Sequence, residues 1–564
     1  MSNECTDVLV IGSGFGGAIP AYHLAAGGAR VIVVERGPRL DASGFRQNMR
    51  LGGFNRIVDI IKSDGITAVA GNCVGGGSTV YFAASLRAPS FIFDREGGLG
   101  RRQWPTALNR AALDPWYERA EESLPVSRIG WADVSYAGGV FAAACAHAGR
   151  TCNPVPLAVD TARCTHCNWM LNGCTVDAKR SMLLNYLPAA EAYGATIKPL
   201  HEVQSISACT DPPYRYSVAY TVLRETDYAP TGFGVINAKI VVLAAGAMAT
   251  PVILRRSEPL LGPLPRAVGR YLSGNGDRVS AAVMDEDRVH SVLGLSRPDG
   301  TTYEGLPIGM AITSASYDHL DGQLPEYSRF MVQQIYFPPL TNVLAQTHSS
   351  PSWFGVAKRE MRAEWRSWLT LLAMTEDDNE GYLSAVPPTG GFVRLAPGLG
   401  LGSWRYRPTA RTRRGRDAAD SEIKSIIERD GLGKVRPWSE ALSGTVTAHP
   451  LSSCRMGEDP DTSALTATHE LRGHPGLFVT DGSAVPTSLA VNPSLTIAAL
   501  AERAVPAIVE RAKSLGMPVR YGAPAPDGST AGRRVAAKAA QEVARSSAHR
   551  PFPHDVRQAR SGES

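Results

Sequence analysis

Asp7-Val-Leu-Val-Ile-Gly-Ser-Gly-Phe-Gly-Gly-Ala18 and, after a short span, Val31-Ile-Val-Val-Glu35 decide the fold of this chain. An apolar run leads straight into a glycine-rich turn, and a helix-compatible stretch separates it from a second apolar run that ends in an acid. That order reads as strand, turn, helix and strand, the unit that grips a dinucleotide. Gly12, Gly14 and Gly17 stand at G-x-G-x-x-G spacing, and Glu35 lies 23 residues after Gly12. Gly12 permits the tight turn, Gly14 lets the main chain approach a pyrophosphate, and Gly17 lets the helix pack close to the strand. The helix N-terminus offers the phosphates unpaired N–H groups and about half a positive charge. Glu35 accepts hydrogen bonds from a ribose diol, which favours FAD or NAD over NADP, whose extra phosphate a carboxylate repels.

Four further stretches say which dinucleotide. Thr447-Ala-His-Pro-Leu-Ser-Ser-Cys-Arg-Met-Gly457 and the run from Leu477 through Asp481-Gly-Ser and Val491-Asn-Pro to Ile497 resemble the closing segments of the glucose-methanol-choline (GMC) flavin oxidoreductases. Gly71-Asn-Cys-Val-Gly-Gly-Gly-Ser78 and Gly246-Ala-Met-Ala-Thr-Pro-Val-Ile-Leu-Arg-Arg-Ser257 resemble that family's two glycine-rich signatures, with Glu258 where the second usually has glycine. Within the family, His449-Pro-Leu and Val491-Asn-Pro are most similar to the bacterial branch that includes cholesterol oxidase. The resemblance implies FAD as cofactor and an α/β fold, a Rossmann-like FAD-binding domain assembled from discontinuous segments with an inserted α+β substrate domain. On that reading residues 1–90, 195–284 and 445–516 form the FAD domain. Residues 91–194 are a cap and cysteine-containing segment, and 285–444 form the substrate domain.

Composition bounds the rest. The chain has 564 residues, 44% of them apolar and 20% charged, which suits two or three globular domains. Of the formal net charge of +5, the segment 517–564 carries +4, and its Ala, Arg, Pro, Gly and Ser content predicts a disordered basic tail. The basic run Arg405 to Arg416 has no interleaved aromatic platform, so it reads as a solvated loop and no nucleic-acid partner is expected. Neither a signal peptide nor a transmembrane segment is evident. Nine cysteines, an odd number scattered along the chain, fit a reduced cytoplasmic protein.

The resemblance also implies a constellation. His449 occupies the motif position beside the flavin, and Asn492 the position that pairs with it. Moving a hydride from an alcohol carbon to flavin N5 leaves a hydroxyl proton, which an imidazole can take and an amide can help to place. Cofactor contacts are expected from Gly76, Gly77 and Ser78, from Val203 beside the adenine, and from Asp481 and Gly482 near the ribityl chain and pyrophosphate. Ser494 reads as the N-cap of a closing helix whose dipole would face the flavin. Tyr81 stands where cholesterol oxidases carry asparagine. Cys164, Cys167 and Cys174 are spaced for three metal ligands, but no fourth is evident, so they read as packing residues and no metal is expected. Glu376 and Glu380 are the acids of the inserted region that invite notice, without an assigned role.

These readings predict an FAD-dependent oxidation of an alcohol to a carbonyl, with oxygen or another compound as electron acceptor. Phe330–Phe337, Trp353-Phe354 and Trp365–Leu372 suggest a pocket for a bulky apolar alcohol such as a sterol or terpenoid. A sugar or aminosugar alcohol is the alternative substrate, and a non-redox lyase of the GMC type the alternative chemistry.

Overall fold

The computed structural model describes residues 3–47, 57–96, 100–297, 309–336, 364–387, 392–396, 399–437, 444–524 and 526. The opening motif forms the strand Asn3–Ile11, the helix Phe15–Ala26 and the strand Val31–Val34. Val8, Leu9, Val10 and Ile11 are buried on both faces, as a parallel strand covered by helices requires. Thr196–Lys198, Val31–Val34, Asn3–Ile11, Pro230–Leu243, Tyr216–Leu223 and His201–Ala208 follow one another across this sheet, and Leu477–Val479 pairs in parallel with the end of Pro230–Leu243. The sheet therefore draws strands from three distant parts of the sequence, matching the interleaved domain expected from the motifs.

The second large unit is antiparallel. Gly433–Pro437, Asp277–Met284, Trp368–Thr375, Phe330–Ile335, Ser314–Ser316 and Asn153–Pro154 lie in that order. Two of its strands come from outside the span 285–444: Asp277–Met284 and the short Asn153–Pro154. One face carries Phe330, Val332, Leu369, Leu371 and Ala373 into a core shared with the helices Tyr136–His147 and Ala410–Ile427. The other carries Met331, Ile335, Leu372 and Met374 into the core that continues through the dinucleotide domain. A third sheet, around Val58–Asp64, Ile66–Gly71 and Leu399–Arg405, was not foreshadowed by any motif.

Two local expectations are corrected. The closing helix runs Ser494–Ser514, but its N-cap is Pro493 and no side chain caps it. Ser494 Oγ instead donates to the Ala84 carbonyl, tying the helix to the segment after the Gly75–Gly77 turn. The expected disordered tail also begins too early: Met517 and Val519 are buried, and Tyr22 Oη donates to the Pro524 carbonyl. Apolar side chains at those positions dock the chain on the helix Phe15–Ala26, whereas 527–564 lie outside the described residues, as do Trp353 and Phe354. No helix among the described residues is long and apolar enough to cross a membrane.

Candidate active site

The glycine motifs converge before any side-chain chemistry begins. Gly12 has φ +96°, and a Cβ there would lie 2.2 Å from the Ala244 carbonyl oxygen, so only glycine fits this turn. Gly76 has φ +53°, and its Cβ would lie 2.9 Å from Gly14 Cα, so the two glycine turns meet main chain to main chain. Between them runs a chain of hydrogen bonds. Ser13 N–H and Oγ–H both donate to Glu35 Oε2, at 3.1 and 2.7 Å, and Gly75 N–H donates to Ser13 Oγ at 2.9 Å. Gly37 N–H donates to Glu35 Oε1. Glu35 is buried, which pushes its carboxyl above the usual range, while these hydrogen bonds oppose that shift. A carboxylate has about four acceptor sites. Three are taken here, which leaves room for a ribose hydroxyl.

A Cβ on Gly77 or Gly246 would enter open space, so the main chain at both is bare on that side. The first turn of Phe15–Ala26 contains no acid that would repel a phosphate. Bare main chain, a free helix N-terminus and an acid with spare acceptor capacity fit an extended dinucleotide. Ser78 Oγ donates to the Gly75 carbonyl and receives Met182 N–H, so it shapes the turn. Asp481 is fully engaged by the protein. It accepts from Gly246 N–H at 2.7 Å, from the Thr250 hydroxyl, and from Ser483 N–H and Oγ–H. It therefore joins the second glycine signature to the turn at Gly482. Val203 is buried in His201–Ala208, paired with Tyr220 near the edge of the sheet.

His449 and Asn492 come together. Asn492 Nδ2 lies 3.4 Å from His449 Nε2, and Asn492 Oδ1 has no partner among the described residues although the side chain is buried. The other ring nitrogen has a partner that sequence reasoning missed. His449 Nδ1 lies 3.0 and 2.9 Å from the two oxygens of Asp277, a buried carboxylate at the start of its strand. That contact assigns the proton to Nδ1 and leaves the Nε2 lone pair turned towards Asn492.

One short loop sets both residues. Asn275 Nδ2 donates to the Val491 carbonyl and Asn275 Oδ1 accepts from Leu489 N–H, so the segment bearing Asn492 is clamped two residues before Asp277. The loop is itself pinned by Asp377, which accepts from Ser273 Oγ–H, Gly274 N–H, Gly276 N–H and the Tyr406 hydroxyl. Gly274-Asn-Gly-Asp277 was the only trace of this device in the sequence, a turn-forming run opening an apolar strand.

The remaining candidates fall elsewhere. Glu376 is enclosed by Arg95, Arg329 and Arg411 at 3.5 to 3.7 Å. Burial and repulsion from Asp377 push Glu380 up to about 7. Tyr81 packs edge-on against Phe15 and donates its hydroxyl to the Arg180 carbonyl. Behind it the buried Lys179 donates to the carbonyls of Thr79, Tyr81 and Met170, fixing the residues that follow the Gly75–Gly77 turn, and burial lowers it to about 7. Cys164 and Cys174 pack against the dinucleotide core, whereas Cys145 and Cys152 sit in the other one.

Known proteins share this architecture. The N-terminal part of the GMC oxidoreductase family model matches residues 7–274, and its C-terminal part residues 402–501. A cholesterol oxidase of Mycobacterium tuberculosis is 27% identical over 562 residues, covering 88% of this chain and 90% of its own. A long-chain-alcohol oxidase of Arabidopsis thaliana is 23% identical, covering 89% of this chain and 68% of its own. A formate oxidase structure from Aspergillus oryzae superposes with a TM-score of 0.62 at 13% identity, over 91% of this chain and all of that one.

Proposed function

Because the chain belongs to the GMC oxidoreductase family, FAD-dependent enzymes that act on alcohols, we propose that its substrate is a bulky apolar alcohol and that His449 takes the carbinol proton. The observation that carries the substrate class is the sheet face bearing Asp277. Val279, Leu372, Met374, Met331 and Ile335 share it with Gln333 and Thr370, so apolar side chains dominate the face and polar ones are few. Relatives named for cholesterol and for long-chain alcohols point the same way.

Bound FAD would supply the hydride acceptor, held by Gly12, Gly14, Gly17 and Glu35 at one end and by Gly76, Gly77 and Gly482 further along. Asp277 keeps the His449 proton on Nδ1 and stabilises the imidazolium that forms when Nε2 accepts the hydroxyl proton. Such general-base assistance is worth about 10²–10⁴-fold. Asn492, beside Nε2, holds the hydroxyl so that the carbinol C–H points at the acceptor. The N-terminus of Ser494–Ser514 follows Asn492 directly and has no acid in its first turn, so its dipole favours negative charge at that spot.

Anaerobic mixing with sterols, terpenoid alcohols, long-chain alcohols and sugars tests both parts. An apolar alcohol should bleach the flavin absorbance fastest. Fastest bleaching by a sugar would overturn the substrate class, and turnover of a cyanohydrin without bleaching would favour a lyase.

A further inference from the structure

One polar side chain of the substrate sheet takes no part in the Asp277–His449–Asn492 arrangement. Gln333 lies mid-strand in Phe330–Ile335 and is fully buried. It is the one buried glutamine or asparagine among the described residues whose two side-chain polar atoms both lack a hydrogen-bond partner. An amide buried in this way is costly to keep, and native proteins rarely keep one unless something else satisfies it.

The register settles which way it faces, because directly opposed residues of an antiparallel pair share a face. Gln333 is opposite Leu372, which is opposite Val279. Two positions along, Met331 is opposite Met374, which is opposite Asp277. Gln333 therefore projects from the face that carries Asp277 to His449, away from the helix-covered face of Phe330 and Val332. From Asp277 it is two strands across and one side-chain pair along, a separation on the order of 10 Å. Every immediate neighbour on that face is apolar: Met331, Ile335, Leu372 and Ala315.

We propose that Gln333 is a specificity residue that hydrogen-bonds a second oxygen of the substrate, on the order of 10 Å from the reacting carbinol. The substrate class is then an apolar alcohol with a hydroxyl or carbonyl at its far end, since an amide can accept from the first and donate to either. This rests on the apolar-alcohol reading and on His449 marking the reacting end. A pocket built to pair a polar group discriminates strongly against the analogue that lacks it, because its own buried group is left unpaired.

The test is anaerobic flavin reduction of the holoenzyme by two 3-hydroxysteroids of one ring system, dehydroepiandrosterone with its 17-carbonyl and cholesterol with its hydrocarbon tail. The wild type should prefer the 17-carbonyl compound by about 10- to 100-fold in reduction rate per unit concentration. Gln333→Met, close in shape and losing no internal hydrogen bond, should retain FAD, melt no lower than wild type and lose that preference while still accepting cholesterol. Gln333→Leu provides a second apolar replacement should the first fold poorly. A preference that survives in a folded variant, or equal rates in the wild type, overturns the role of Gln333 alone. If neither steroid reduces the wild-type flavin, the Gln333 proposal falls, and if no sterol, terpenoid or long-chain alcohol does, the apolar-alcohol reading falls with it.

Discussion

The mixed sheet around Asn3–Ile11 and the antiparallel sheet around Trp368–Thr375 converge on the same site with different atoms. In the first, main chain would hold the dinucleotide. Gly12, Gly76 and Gly246 all have positive φ, and Glu35 and Asp481 spend their oxygens on N–H groups and hydroxyls that shape the turns. In the second, the proposed roles fall to single side chains on one face of the sheet, Asp277 on one strand and Gln333 two strands across. Backbone recognition suits a cofactor that is the same in every turnover. Side-chain recognition can be altered one residue at a time without disturbing the sheet.

Changes that separate the two modes should therefore have separable effects. The largest is expected for His449→Ala, which should keep FAD bound yet slow flavin reduction by about 10²–10⁴-fold. Stopped-flow reduction at the wild-type rate would show that the proton leaves by another route. Asp277→Asn keeps the shape but loses control of which ring nitrogen carries the proton, and should slow the same step by roughly 10–10²-fold at unchanged FAD content. A loss of FAD instead would place Asp277 on the cofactor side of the division.

Ser13→Ala reverses the pattern. It removes the link between Glu35 and Gly75, and loss of these buried hydrogen bonds should weaken FAD retention by roughly tenfold. The FAD-loaded fraction should still be reduced at the normal rate. Slower reduction at full occupancy would mean that the two sheets are not independent.

The smallest effect concerns stability. His469 is buried beside the Val479 carbonyl, and burial lowers it from its ordinary 6.5 to about 3. The unfolded chain therefore binds the proton first, so stability present above pH 6.5 is lost as pH falls towards 3, by at most about 1.4 kcal/mol per pH unit from this group. His469→Gln can keep the bond to Val479 without titrating, and denaturation midpoints between pH 7 and pH 5 should fall less steeply. An unchanged slope would assign acid sensitivity to other groups.

The glycine spacings, Glu35 and the His449 and Asn492 motifs were legible because each is a local requirement written in consecutive or closely spaced residues. The closing helix was legible too, though its cap was not, since Ser494 found a better acceptor in the Ala84 carbonyl than in its own helix. The pairing of the strand Asp277–Met284 was not legible, because Val-Ser-Ala-Ala-Val would fit either large sheet. Its partner strands lie more than 80 residues away, and nothing local names them.

By itself the sequence determined that a tight glycine turn stands at Gly12, that main chain can approach a ligand at Gly14, that an acid follows the second strand, and that an imidazole and an amide stand 43 residues apart in two short motifs. Local steric rules suffice for such statements. Only the tertiary structure decided that Asp277 meets His449 Nδ1, that Asn275 clamps the segment bearing Asn492, and that Gln333 shares the Asp277 face. Those facts depend on strand register and on contacts across 172 and 216 residues of chain, where a carboxylate or an amide carries no mark of its partner until the sheets have paired.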